Sequence, residues 1–73
     1  MAESMSEQIF SIACALSKAD ESEKSMLRMI CTAQEESLVC ALKEGVDKED
    51  CESAFICAAS WLAAAALESA RAG

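Results

Sequence analysis

The chain has no histidine, no proline and no tyrosine, and only two glycines and one tryptophan among its 73 residues. Without histidine it lacks the commonest general base and the commonest metal ligand, and its serines and cysteines lack their usual activating partner. Without proline, and with glycine confined to Gly45 and Gly73, only Gly45 offers a strong internal break to a helix. No glycine-rich phosphate loop can be built. Basic residues are scarce as well: six stand against thirteen acidic ones, for a net charge of −7. That balance argues against gripping a nucleic-acid backbone, which needs a basic face, and against docking on an anionic membrane.

What is present is a helix-forming composition. Hydrophobic residues make up 53% and charged residues 26% of the chain, too apolar for disorder, and Ala, Leu, Met, Glu and Lys are all good helix formers. The length suits one helical domain spanning residues 1–73. A chain this short buries only about 60% of its unfolded surface and is marginal on its own. Residues 1–7 show neither a basic segment nor an apolar core behind one, so no leader is read and the expected location is the cytoplasm.

Hydrophobic periodicity predicts an all-α bundle of three helices, over about residues 4–17, 21–44 and 48–70. In the first helix, Met5, Ile9, Ile12, Ala13 and Leu16 form one stripe with Phe10 on its flank, and Glu7 and Ser11 lie opposite. Asp20 followed by Glu23 reads as a capping box. The second helix has a broad apolar set from Met26 to Leu42 with Val39 out of place, which implies two contact surfaces. Gly45 is read as its left-handed cap, with Val46 making the accompanying apolar contact. Asp47 and Asp50 then cap the third helix.

The third helix carries the most unusual stretch, residues 54–67, A-F-I-C-A-A-S-W-L-A-A-A-A-L, interrupted only by Ser60. At about 100° per residue its large side chains point three ways: Phe55 with Leu62, Ile56 with Leu67, and Trp61 alone. A helix apolar all round must be covered all round. At 14 residues the run falls short of the roughly 20 a membrane span needs. The expectation is that Phe55/Leu62 and Ile56/Leu67 close the monomer, while Trp61, with Ala54 and Ala65, meets another chain.

Neither metal nor cofactor is expected. The five cysteines, Cys14, Cys31, Cys40, Cys51 and Cys57, contain no C-x-x-C pair. On a helix Cys31 and Cys40 point about 180° apart, and Cys51 and Cys57 about 120° apart. They read as small buried hydrophobes. A soft cuprous site built from Cys and Met across helices is the remaining metal reading. The carboxylates sit at helix starts and on polar faces, where they cap and solvate. Nothing in the pattern points to an enzyme.

Residues 42–67, L-K-E-G-V-D-K-E-D-C-E-S-A-F-I-C-A-A-S-W-L-A-A-A-A-L, resemble small α-helical proteins encoded in prophages of Clostridia-type bacteria. Those in turn resemble the head–tail connector (adaptor) proteins of long-tailed phages, also described as DNA-packaging proteins. The matching positions are Gly45, Val46, Cys51, Ala54, Phe55, Ala58, Ala59, Trp61, Leu62, Ala63 and Leu67. The resemblance implies a structural subunit that forms rings of many copies between portal and tail, with DNA passing through the lumen. A homo-oligomer is therefore expected, with portal or tail-completion proteins as further partners and no sequence-specific contact to nucleic acid. The location implied is the bacterial cytoplasm and then the virion. The competing reading is a small helical interaction module that binds a partner through its third helix.

Overall fold

A computed structural model describes residues 4–72; residues 1–3, part of the segment read for a leader, and residue 73 lie outside them. The chain folds as three α-helices: α1 (Met5–Ser17), α2 (Lys24–Ala41) and α3 (Glu52–Ala72), with a short 3-10 turn (Lys48–Cys51) leading into the last. There is no strand among the described residues.

The helix boundaries follow from local chemistry, with three corrections to the sequence reading. Ser4 caps α1, its side chain accepting from the Glu7 N–H at 3.2 Å. The helix stops at Lys18, which adopts the left-handed conformation (φ 54°, ψ 45°) while the Cys14 carbonyl accepts from its N–H. That conformation costs a residue with a Cβ roughly 1 kcal/mol. The Asp20–Glu23 box forms reciprocally: Asp20 accepts from the Glu23 N–H at 3.1 Å and Glu23 from the Asp20 N–H at 3.2 Å. It closes a turn, however, and α2 begins only at Lys24 rather than at residue 21.

The second correction is at the far end of α2, which stops at Ala41 and not at residue 44. Leu42 is extended (φ −67°, ψ 146°), and packs with Leu38 against the core. Gly45 (φ +85°) is therefore not a helix cap. It occupies the third position of a turn closed by the Val46 N–H donating to the Lys43 carbonyl at 3.0 Å, a position where type II turns require positive φ. Val46 itself is exposed. Third, the helix expected from residue 48 starts as the 3-10 turn, held by a capping box in which Asp50 accepts from the Asp47 N–H at 2.9 Å.

Long-range contacts fix the topology. Ser60 lies beside Ile9, and Arg71 beside Ser17, so α1 and α3 run in the same direction. Arg71 reaches Glu23 and Lys48 reaches Glu35, so α2 runs against them. The core gathers Ile9 and Ala13 of α1, Leu27 and Cys31 of α2, and Phe55, Ile56, Ala59, Ala63 and Leu67 of α3. Ala13, Ala59 and Ala63 are fully covered; their small side chains let the backbones of α1 and α3 come close. Ser60, the one polar residue of the run, is also fully buried. Its hydroxyl donates to the Ile56 carbonyl at 2.6 Å and lies 3.4 Å from the Ile9 carbonyl, so no lone polar group is stranded.

The apolar stripe expected on α1 is narrower than its sequence implied. Ile9, Ala13 and Ser17 face inward, whereas Ile12 and Leu16 are each 38% exposed. On α2 only Leu27 and Cys31 are buried, and Met26, Met29 and Val39 are exposed. The cysteines divide likewise: Cys31 is buried, Cys14 and Cys51 are half-buried, and Cys40 and Cys57 are exposed. Most of the five are thus not the buried hydrophobes expected. Burial pushes the Cys31 thiol up to about 11, with Cys14 adding to the shift.

Candidate interaction surface

The many alanines of α3 favour helix, and packing of one side against α1 and α2 fixes it in place. Its buried side is Phe55, Ile56, Ala59, Ser60, Ala63, Ala64 and Leu67. At 100° per residue Trp61 lies about 150° from the centre of that stripe, and Ala54 and Ala65 fall within about 40° of Trp61. All three of these candidate interface residues are exposed, Trp61 at 63%. Of the pairs expected to close the monomer, Phe55, Ile56 and Leu67 do so, but Leu62 is 43% exposed and belongs to the outer side. At 100° per residue Leu62 sits about 110° from the centre of the buried stripe, at its margin.

Beside this face lies an apolar cleft of about 210 Å³ between the end of α2 and the start of α3. Leu38, Ala41 and Leu42 form one wall and Ala54, Phe55 and Ala58 the other. Ala54 is thus shared between the Trp61 face and the cleft. Leu38, Ala41 and Leu42 belong to the broad apolar set expected to give α2 a second contact surface, and they line this cleft. Leu42, extended just past the end of α2, is one of the cleft's lining residues. No Asp, Glu, Lys or Arg occurs between Glu52 and Glu68, so the outer side of α3 is electrically neutral in a strongly acidic chain.

The charged groups gather at the two ends of the bundle. At one end the Arg71 guanidinium forks onto Glu23, with Nε 2.7 Å from Oε2 and Nη2 2.6 Å from Oε1. It also donates to the Ser17 carbonyl at 2.8 Å and to Glu68. One side chain therefore joins the last turn of α3 to the end of α1 and the start of α2. The Arg71 fork, helped by the Asp20 N–H, holds the Glu23 carboxyl down at about 2. At the other end Glu35 accepts from Lys48 at 2.9 Å and from Ser6 at 2.8 Å. Burial would raise the Glu35 carboxyl, but these two hydrogen bonds and the Lys48 charge bring it below its ordinary value. Arg28 lies 4.0 Å over the Phe10 ring and pairs with Glu7 at 2.8 Å, flanking the α1–α2 seam.

A larger recess of about 480 Å³ is lined by Thr32, Glu35, Glu36, Val39, Cys40 and Lys48. Both oxygens of Glu35 are already engaged by Lys48 and Ser6, so the recess presents no free buried carboxylate. No group of three or more His, Cys, Asp or Glu positioned to hold a metal occurs among the described residues. The stretch Lys48–Ala72, 25 residues long, is long and apolar enough to cross a membrane by length and composition. The sequence reading counted only the uninterrupted apolar run and so fell short of that length. A bundle's core helix meets the same criterion, and seven residues of α3 are buried against α1 and α2.

No protein-family model, curated protein or solved structure matches the chain.

Proposed function

We propose that the chain is a structural, non-enzymatic subunit that self-assembles through the outer side of α3, in the manner of a phage head–tail connector. The observation that carries this reading is the exposure of Trp61 at the middle of a neutral apolar face. Tryptophan is enriched at the energetic centres of interfaces, and a contiguous apolar patch on a small chain marks an interaction site. The net charge of −7 suits a lumen past which DNA slides without sticking. Portal or tail-completion proteins are the further partners on this reading, and the bacterial cytoplasm and the virion are its locations.

The test is solution mass. Sedimentation over the micromolar range should show a species heavier than the monomer, and a clean monomer throughout would overturn the proposal. Genes for portal, protease and capsid proteins beside this one would favour the connector over a general interaction module. The module reading places its partner on the same side of α3; the exposed Met26 and Met29 of α2 offer a further contact beside it. Exposed methionines are adaptable contacts for varied partners.

A further inference from the structure

We propose that a trough along the last turns of α2 binds a basic amphipathic segment of another protein, one that presents aliphatic side chains flanked by lysine or arginine. Two adjoining recesses make the trough. The first, about 480 Å³ and bounded mostly by apolar atoms, lies on Thr32, Glu35, Glu36, Val39 and Cys40, with Lys48 as its other wall. Those α2 positions fall at i, i+3, i+4, i+7 and i+8, one face of a helix. The second, about 470 Å³, continues from Val39 and Lys48 along the turn past Glu44, Val46, Asp47 and Glu49. Val39 and Val46, both exposed, are the apolar contacts it leaves open. No residue of α3 belongs to the trough, so it stands apart from the self-association proposed above.

Charge selects the occupant. Elsewhere the carboxylates are matched within the fold: Glu7 by Arg28, Glu21 by Lys24, Glu23 and Glu68 by Arg71, and Glu35 by Lys48. Of the carboxylates outside those pairs among the described residues, all but Asp20 fall in one stretch, as Glu36, Glu44, Asp47, Glu49, Asp50 and Glu52. Asp20 lies at the other end of the bundle and is taken up by Ser22 and the Glu23 N–H. Asp47 and Asp50 cap each other's backbone but keep their charge. Against these six stands only Lys43, because Lys48 is neutralised by Glu35. The acidic excess is thus gathered beside the trough, not spread over the surface. A second copy would bring the same excess to the same place, and a neutral apolar segment would leave Glu36 and Glu44 beside it without counter-charge.

The walls are already set. Lys48 is held to Glu35 at 2.9 Å, the turn is closed by the Val46 N–H on the Lys43 carbonyl at 3.0 Å, and Asp50 accepts from the Asp47 N–H at 2.9 Å. A partner therefore meets a fixed surface and loses little in ordering it. Lysine and arginine suit such a site doubly, since their aliphatic stems can lie on valine while their charged heads reach the carboxylates.

The experiment titrates the isotope-labelled whole chain with synthetic peptides of equal length and reads its amide signals. One peptide carries leucines four apart among lysines, one is oligolysine, and one keeps the leucines with serine in place of lysine. The lysine–leucine peptide should move signals concentrated over residues 32–49, and should bind about tenfold more tightly than either control, with added salt weakening it. Val39→Ser removes an apolar contact, and Glu36→Gln with Glu44→Gln removes charge; each should weaken binding about tenfold. Glu21→Gln with Glu68→Gln takes the same charge from elsewhere and should leave binding unchanged. All these positions are exposed, so helical circular dichroism should persist in every variant. Equal weakening by the Glu21 and Glu68 pair would reduce the effect to net charge and overturn the trough as a site. Equal binding of oligolysine would remove the apolar contact, and equal binding of the serine–leucine peptide would remove the charge selection; either result sinks the proposal. Signal changes centred on residues 54–65 would move the partner to the outer side of α3, and no binding by any peptide would end the proposal outright. Self-association is read separately, by solution mass, and none of these outcomes decides it.

Discussion

The two sides of α3 are built from nearly the same residues and meet opposite fates. The inner side has Phe55, Ile56, Ala59, Ser60, Ala63, Ala64 and Leu67; the outer has Ala54, Cys57, Ala58, Trp61, Leu62 and Ala65. The run's only polar residue is fully buried and its largest apolar residue is mostly exposed. Side-chain size against the neighbouring helix explains the inversion better than hydrophobicity does. Ala59, Ser60 and Ala63 allow α1 to lie close, with the Ser60 hydroxyl satisfied by a carbonyl of its own helix. An indole in that position would force α1 away and open voids around Ile9 and Ala13.

The strongest way to break this comparison is to truncate one leucine on each side. Leu67 is fully buried and Leu62 is 43% exposed. Leu67→Ala should destabilise by about 2–5 kcal/mol through lost burial and a residual cavity. Leu62→Ala should cost about 1 kcal/mol or less, because it gives up only partial burial. Urea denaturation at one fixed protein concentration measures both, since association would add to apparent stability. Equal losses would mean that the two sides are equally covered in solution.

A smaller effect comes from enlarging an alanine. Ala63→Leu should destabilise by about 1–3 kcal/mol, as overpacking forces α1 and α3 apart. Ala65→Leu on the outer side should stay within about 0.5 kcal/mol, as surface substitutions do. If Ala65→Leu proves as costly as Ala63→Leu, the outer side is packed against something in solution, and the comparison turns into a measure of the interface.

The same contrast shows what could be read from sequence. The helix count and the Asp20–Glu23 and Asp47–Asp50 boxes were legible because capping depends on residues three apart. The exposure of Trp61, Ala54 and Ala65 was also legible, since three directions of apolar side chains exceed what two neighbouring helices can cover. Ile12, Leu16 and Leu62 were misplaced, because a broad apolar arc does not say which part of it fits between small residues on another helix. The end of α2 was misread for a related reason. Gly45 gives a strong local signal for a cap, but tertiary packing of Leu42 ends the helix earlier and leaves Gly45 to a turn. The long-range ties of Arg71 and Glu35 carried no local signal: Glu23 lies 48 residues from Arg71, and Ser6 lies 29 residues from Glu35.

The smallest expected effect sharpens the comparison at the point where the inner side ends. Arg71 closes that side by forking onto Glu23, whose carboxyl is held at about 2 against an ordinary 4.5. Between those values the unfolded chain binds a proton that the folded chain does not. The Glu23 contribution is therefore complete above its ordinary value and is lost as pH falls toward 2. Glu35, also lowered, acts in the same direction from the opposite end of the bundle. Arg71→Gln should remove the Glu23 share, so its melting temperature should fall less than that of wild type from about pH 6 to about pH 3. Lys48→Met supplies the counterpart, removing the Glu35 share and leaving Glu23 in place. If Arg71→Gln loses stability with acid as steeply as wild type while Lys48→Met does not, the acid-sensitive tie is at the Glu35 end. Arg71 would then matter mainly as the donor that satisfies the Ser17 carbonyl at 2.8 Å, a role that does not titrate in this range.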